Sequence, residues 1–366
     1  MNQRIEIVTL TKQLIQFNTV AENHEQIQAC VAYVKQFFVN TSVQIAEHTF
    51  RGNPALFISL DGKRKQDVIL NGHLDVVAGA STQFHPYIKD GKLYGRGSND
   101  MKGSVAAFMI LMKYLSSKHN KPKVGLMLVC DEETGGYSTR MMIKAGYICK
   151  FALAGEPTRF HIETKHKGIL AVRITAYGSH SHGSRPWQGV NAIDKLMRRY
   201  RSLLAEVPQA TTSRKWLPTI NASSIHAEGP YNVTPAKATM ILDIRTTEEF
   251  TNRKIRSLLK SKGMKHEIIV DGSMLLNPIK SPPIRLLRKI AREKLGRRIA
   301  YVKSCGSSDM RFFSERGITA VNFGPYGKNH HKNNEYVETS SLISYYDVLE
   351  EFVYGFATLK KSNESK

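Results

Sequence analysis

The chain has 366 residues, 41% of them hydrophobic, which is long for one core and suits two domains. It carries a formal net charge of +22 and four cysteines (Cys30, Cys130, Cys149 and Cys305) with no CxxC pair, which speaks against a disulfide framework and points to a reducing, cytoplasmic setting. No window of 18 consecutive apolar residues occurs, so no membrane span is expected, and the first 17 residues lack the continuous apolar stretch of a signal peptide.

In chain order, residues 2–17 place Ile5, Val8, Leu10, Leu14 and Phe17 near one helical face, and 25–38 repeat this with Ile27, Val31, Val34 and Phe38. Short apolar runs follow at 56–60, 67–72, 124–130 and 151–155, with a helical run at 102–117 between the second and third. Buried strands alternating with helices predict an α/β fold with a mainly parallel sheet flanked by helices. The texture changes near residue 166. Residues 168–177 read as a strand, 188–206 as a helix, 217–226 and 236–246 as strands, and 247–262 as a helix. This order predicts an inserted α+β domain of split βαβ type, over 167–276. The α/β pattern resumes with a helix at 282–295, a strand at 318–323 and a long helix from 339, so 1–166 and 277–366 form the larger domain. Residues 360–366 read as a frayed tail.

The basic charge admits a nucleic-acid or anionic-membrane partner, or simply a basic proteome or a field that steers acidic substrates. The densest cluster, Arg285 to Arg298, falls in one amphipathic helix and reads as a solvated face. No aromatic-studded basic groove motif is present, so nucleic acid is not the expected partner.

Acidic and histidine side chains collect where the strands end. His73 and Asp75 follow 67–72, Asp131, Glu132 and Glu133 follow 124–130, Glu156 follows 151–155, and His330 and His331 follow 318–323. Open α/β sheets bind ligands beyond the carboxyl ends of their strands. Asp100 lies in the glycine-rich LYGRGSNDMKGS turn that opens the 102–117 helix, where it can act as a cap or as a ligand. The GKS/GKT ending of a phosphate loop is absent. Imidazoles with carboxylates are the ligand set of zinc and similar ions. Two histidines and three carboxylates suffice for two ions sharing one bridging carboxylate, with paired ions lying about 3.5–4 Å apart. Glu132 and Glu133 point opposite ways on extended backbone, and a turn at the strand end can send one to metal and one to water.

The motifs NGHLDVV, GRGSNDMKGS, CDEETGG, AGEPT and HHKNNEY resemble those of the zinc amidohydrolase/exopeptidase family that includes acetylornithine deacetylase, succinyl-diaminopimelate desuccinylase, aminoacylase-1 and carboxypeptidase G. The resemblance spans essentially the whole chain, and it implies roles. His73 and Glu156 resemble ligands of one metal, Glu133 and His331 ligands of the other, and Asp100 the bridge. His331 fits better than His330 because Glu335 and Tyr336 follow at the usual offset. Asp75 resembles the acid that orients His73, and Glu132 the general base. In the inserted domain, GSHSHGSRPWQGVNAI resembles a lid motif in which His182, supplied to a neighbouring subunit in dimeric members, stabilises the oxyanion. Asn232, in YNVTP, matches as a substrate contact. Arg245, in LDIR, resembles an arginine that grips a substrate carboxylate, although a strand arginine can also be an exposed sheet residue. Gly306, Ser307 and Ser308 resemble a substrate-contacting loop. Ala78 stands where the family often has proline, Ser104 where many members have glycine, and Cys305 at a variable position. The implied activity is metal-dependent hydrolysis of the amide bond of small N-acyl amino acids by a cytoplasmic homodimer holding two divalent ions, zinc by default and cobalt or manganese otherwise. Glu156 is implied to favour deacylases and carboxypeptidases over aminopeptidases and dipeptidases. The alternative is a metallo-carboxypeptidase or dipeptidase acting on small peptides.

Overall fold

The computed structural model describes residues 3–260 and 263–364. They divide into two compact units. The first comprises Met1–Lys165, Leu276–Lys303 and Ser308–Lys366; the second comprises His166–Leu275 with Ser304–Ser307. The short Ser304–Ser307 segment therefore groups with the second unit, whereas the sequence texture assigns it to the first.

The sheet of the first unit runs in the order Gln44–Phe50, Asn53–Ser59, Val124–Val129, Lys65–His73, Ile148–Ala154, Thr319–Asn322, Ile162–His166. Its central strands, from Val124–Val129 to Thr319–Asn322, are mutually parallel, and antiparallel strands extend it on either side. Every residue of Val124–Val129 is buried, as expected of a parallel strand covered on both faces. Gln44–Phe50 mixes exposed and half-buried residues at the sheet edge, and its polar composition (QIAEHTF) hides it from a search for apolar runs. In the parallel register Leu70 lies opposite Leu126 and Leu153, and His73 opposite Val129. The carboxyl ends carrying His73, the 131–133 segment and Glu156 are thereby aligned.

Helix Gly103–Ser116 is buried almost all round, as its apolar sequence requires. It packs against Gln3–Gln16 and Thr339–Glu364, and the latter also packs on Pro282–Leu295. Pro282 opens that last helix, where its missing N–H has no intrahelical partner to lose, and Gly296 closes it in the left-handed region at φ 61°. The final helix continues to Glu364, so the tail expected over 360–366 is helical as far as it is described; residues 365–366 lie outside the described residues. A second, small sheet orders Gly327–Lys328, Tyr336–Glu338, Lys92–Tyr94 and Tyr87–Lys89. It ties the chain just before Asp100 to the chain just after His331, with Tyr94 opposite Tyr336 and Leu93 opposite Val337.

The second unit has the expected strand-helix-strand-strand-helix-strand order. Its antiparallel sheet runs Thr219–Ala227, Lys237–Thr246, Gly168–Tyr177, Met264–Gly272, and its core includes Leu170, Val172, Leu196, Leu203, Leu242 and Ile255. Helix Ala192–Glu206 begins four residues later than the expected 188, because Val190 pairs with Ser179 in extended backbone and the Asn191 side chain then caps the helix. Helix Asn252–Leu259 likewise begins after Thr251, whose hydroxyl accepts from Lys254 N–H. Residues 261–262, the end of the expected 247–262 helix, lie outside the described residues. Among the described residues, no helix is long and apolar enough to cross a membrane.

Candidate metal centre

His73 is the last residue of its strand and is buried. Its Nδ1 lies 2.9 Å from the main-chain oxygen of Asp75. A carbonyl oxygen can only accept, so Nδ1 carries a proton and Nε2 faces Asp100 Oδ1 at 3.3 Å. The other oxygen, Asp100 Oδ2, lies 3.3 Å from His331 Nε2. His331 Nε2 is also 3.2 Å from Glu133 Oε1. Ligand atoms of His73, Asp100 and Glu133 all lie within 4.8 Å of one another, a grouping able to hold a metal ion. His330 is exposed and stacks edge-on against His331. His331 itself adopts φ 63°, a left-handed conformation uncommon for a side chain other than glycine.

Of the two readings of Asp100, the cap is ruled out. The helix begins at Gly103, with Lys102 at its cap position and no side-chain cap bond, whereas the Asp100 carboxylate faces two imidazoles. Asp75 lies against the His73 ring. It meets the His73 ring mainly through its main chain, its carboxylate Oδ1 being 3.6 Å from Nδ1. Its Oδ2 accepts from Glu133 N–H at 2.9 Å, which fastens the DEE segment to the His73 strand end.

The electrostatics of the cluster are those of crowded acids. Burial, then repulsion from Asp309, Glu133 and Asp75, holds Glu132 well above the usual carboxylate range. Burial, then repulsion from Asp100 and Glu132, does the same to Glu156. Burial lifts Asp75 to about 6 against the opposing charge of His73. Burial works against charge on His73, but its hydrogen bond to Asp100 and the charges of Asp75, Glu156 and Glu132 outweigh it and keep the imidazolium favoured. Hydrogen bonds to Asp100 and Glu133 raise His331 to about 10. Burial would raise Asp100, yet the bonds from His331 and His73 drive it far below its ordinary range. The crowding of these acids favours protons on the histidines and glutamates unless a cation offsets the negative charge. Divalent cations would do so with a good match to this donor set of imidazole nitrogen and carboxylate oxygen, and the residues fit such ions.

Three positioning residues carry no role in the sequence reading. Glu335 is buried, accepts from Asn99 N–H at 3.0 Å and Asp100 N–H at 3.1 Å, and takes Arg96 Nη1 at 2.7 Å. It thereby links the His331 loop to the Asp100 turn. Asp309 Oδ2 accepts from Thr139 Oγ1 at 2.6 Å, behind the DEETGG turn, and Gly136 leaves the room it occupies. Arg96 and Glu335 lie inside GRGSNDMKGS and HHKNNEY, and Asp309 directly follows Ser308, so each stands beside residues with an expected role; burial and partner are what sequence does not show.

The remaining expected residues, Ser308 apart, belong to the second unit. His182 is exposed, with Nδ1 2.8 Å from Ser184 Oγ, and it bridges to Val233 beside Asn232. Gly183 N–H donates to Asn232 O, so His182 and Asn232, fifty residues apart in sequence, share one loop cluster. Arg245 clasps Asp243 through Nε (3.0 Å) and Nη2 (3.2 Å). Gly306 and Ser307 lie in the Ser304–Ser307 segment, whereas Ser308 is buried in the first unit against Asn322.

The chain matches the model of peptidase family M20/M25/M40 over residues 69–355. It is 28% identical over 304 residues to succinyl-diaminopimelate desuccinylase of Bordetella petrii, covering 75% of this chain and 79% of that one. Its fold is similar to an M20 family metallo-carboxypeptidase from Sulfolobus solfataricus, with TM-score 0.79, 18% identity and coverage of 96% and 99%. It is also similar to a Bacillus subtilis protein described as a dinuclear metal-binding peptidase of family M20, with TM-score 0.66, 13% identity and coverage of 97% and 98%.

Proposed function

Because this chain belongs to peptidase family M20/M25/M40 and is a hydrolase, we propose that it cleaves the amide bond of small N-acylated amino acids with the help of two divalent metal ions. The observation that carries this reading is the placement of Asp100, whose two carboxylate oxygens each face a different histidine nitrogen. One carboxylate shared between two imidazole-bearing sites suits a pair of ions. His73 and Glu156 would hold one ion, Glu133 and His331 the other, and Asp100 both. The ions when bound would polarise the scissile carbonyl and acidify the attacking water.

The protein side of the reaction follows from the residues. Glu132, next to the ligand Glu133 and pushed toward holding a proton by burial and nearby acids, accepts the water's proton and passes it to the leaving amine. The main chain of Asp75 locks the His73 ring with Nε2 inward. His182, supplied by a partner chain in a homodimer formed through the inserted lid domain, stabilises the developing oxyanion. Arg245 turns its fork from Asp243 to the substrate carboxylate, and Asn232, Gly306 and Ser307 complete the contacts. Zinc is the first choice of metal, with cobalt or manganese next. The four free cysteines fit a cytoplasmic enzyme.

The Bordetella relative supports an N-succinyl or N-acetyl amino acid as substrate, and Glu156 is consistent with it. A carboxypeptidase or dipeptidase reading is supported by the Sulfolobus fold neighbour. The test is a metal-loaded protein assayed against N-succinyl-diaminopimelate, N-acetylornithine and a set of C-terminal peptides and dipeptides. Turnover of the acyl amino acids with two ions bound per chain is expected. Cleavage confined to peptides selects the second reading, and no metal bound at neutral pH refutes both.

A further inference from the structure

The helix Pro282–Leu295 has a basic face that the amide-hydrolysis chemistry does not use. Arg285, Arg288, Lys289 and Arg292 recur at helical spacing on one side, while Ile284, Leu287, Ile290 and Ala291 are buried on the other. Together with Tyr301 they line a cavity of about 180 Å³ in the first unit. Among the described residues none of the four forms an ion pair, whereas Lys294 on the same helix holds Glu351 at 2.7 Å. The cleft is also partly preformed. Arg288 is half-buried, its Nε donates to Ile299 O at 2.9 Å, and its guanidinium lies 4.7 Å from the centre of the Tyr301 ring. Two contacts fix one guanidinium at the cleft, as an anion site requires and a merely solvated charged face does not.

From this arrangement we propose that the cleft binds a phosphate-type oxyanion carrying more than one negative charge. Four cations facing one space repel one another, and a multivalent anion relieves that repulsion better than a single carboxylate. Arginine forks match phosphoryl oxygens in pairs. The cavity is below the roughly 300 Å³ at which pockets for drug-sized ligands begin. Arg288 already lies over one face of the Tyr301 ring, which leaves less aromatic surface to stack a base. Both points favour an isolated phosphate or diphosphate group over a nucleotide or a nucleic-acid strand.

The experiment is calorimetric titration of inorganic diphosphate into the metal-loaded full chain and into its R285A/R292A variant at about 0.15 M ionic strength, where diffuse attraction is screened beyond about 8 Å. Both substituted arginines are exposed and lie outside the proposed catalytic set, so amide hydrolysis and folding should be unchanged. The wild type should show one saturable site more than the variant, or a site at least about tenfold tighter, and Arg288→Lys should fall between them because it keeps the charge and loses the fork. Any binding at the metal centre is common to both proteins and cancels. Vesicles bearing phosphatidic acid, compared with phosphatidylcholine, separate the sources: retention lost in the double variant assigns a lipid headgroup as the phosphate, and absence of retention assigns a free anion. Identical site number and affinity for diphosphate in wild type and variant overturn the proposal.

Discussion

Glu335 provides a sharp test of how the centre is held. Replacement by alanine removes a buried carboxylate that pairs with a buried guanidinium, Arg96, at 2.7 Å and satisfies two buried main-chain N–H groups. Breaking a buried ion pair from one side costs about 3–5 kcal/mol. Each stranded donor adds about 1–3 kcal/mol. The sum, roughly 5–11 kcal/mol, is comparable to the whole stability of a typical domain. Glu335→Ala should therefore fail to accumulate as folded protein. Glu335→Gln is gentler, since its amide oxygen can still accept from Asn99 and Asp100, but its NH₂ group then faces Arg96 donor to donor. A loss of about 3 kcal/mol is expected, a fall in Tm of about 6–12 °C for a unit of this size. Because the Asp100 main chain is held by the same carboxylate, metal affinity should drop about 10–100-fold. Thermal unfolding and competitive chelator titration of Glu335→Gln read the two effects separately. A variant with wild-type Tm and metal affinity would show that Glu335 does not organise the Asp100 turn.

Glu132→Gln should lower kcat by about 10²–10⁴ while binding the same number of metal ions, measured by steady-state kinetics and elemental analysis; loss of metal instead would make Glu132 a ligand. The surrounding acids favour protons on His73 and on His331, the latter raised to about 10 by Asp100 and Glu133. Ligation needs both Nε2 atoms bare, so metal uptake at pH 7 should release protons, and affinity should rise with pH and fall as the medium is acidified. Calorimetry in two buffers of different ionisation enthalpy measures the release, and a zero count at pH 7 contradicts the hydrogen-bonded arrangement. Gly155→Ala would place a Cβ 2.3 Å from Ser104 Cβ at the strand end before Glu156. Overpacking of this kind costs about 1–3 kcal/mol and should displace Glu156, so both Tm and metal affinity should fall; an unchanged Tm would mean the helix yields freely there.

Local pattern alone was enough to place the α/β core and the inserted split βαβ unit, because apolar runs and helical spacing are properties of neighbouring residues. Chemical identity was also local: His73, Asp100, Glu133, Glu156 and His331, the proposed ligands, each sit in a short motif that resembles one of the family's. What the tertiary structure alone decided is non-local. Three-residue strands such as Lys92–Tyr94 and Tyr336–Glu338 carry too few residues for a period to show, yet their pairing brings the Asp100 turn and the His331 loop together. The edge strand Gln44–Phe50 escaped notice because its polar face meets solvent. Whether Asp100 caps a helix or faces two imidazoles depends on His73 and on the distant His331 loop, and whether Glu335 is a surface acid or the buried acceptor of Arg96 depends on a partner 239 positions away. No periodicity along the chain encodes such a distance; only the burial of the surrounding core fixes it.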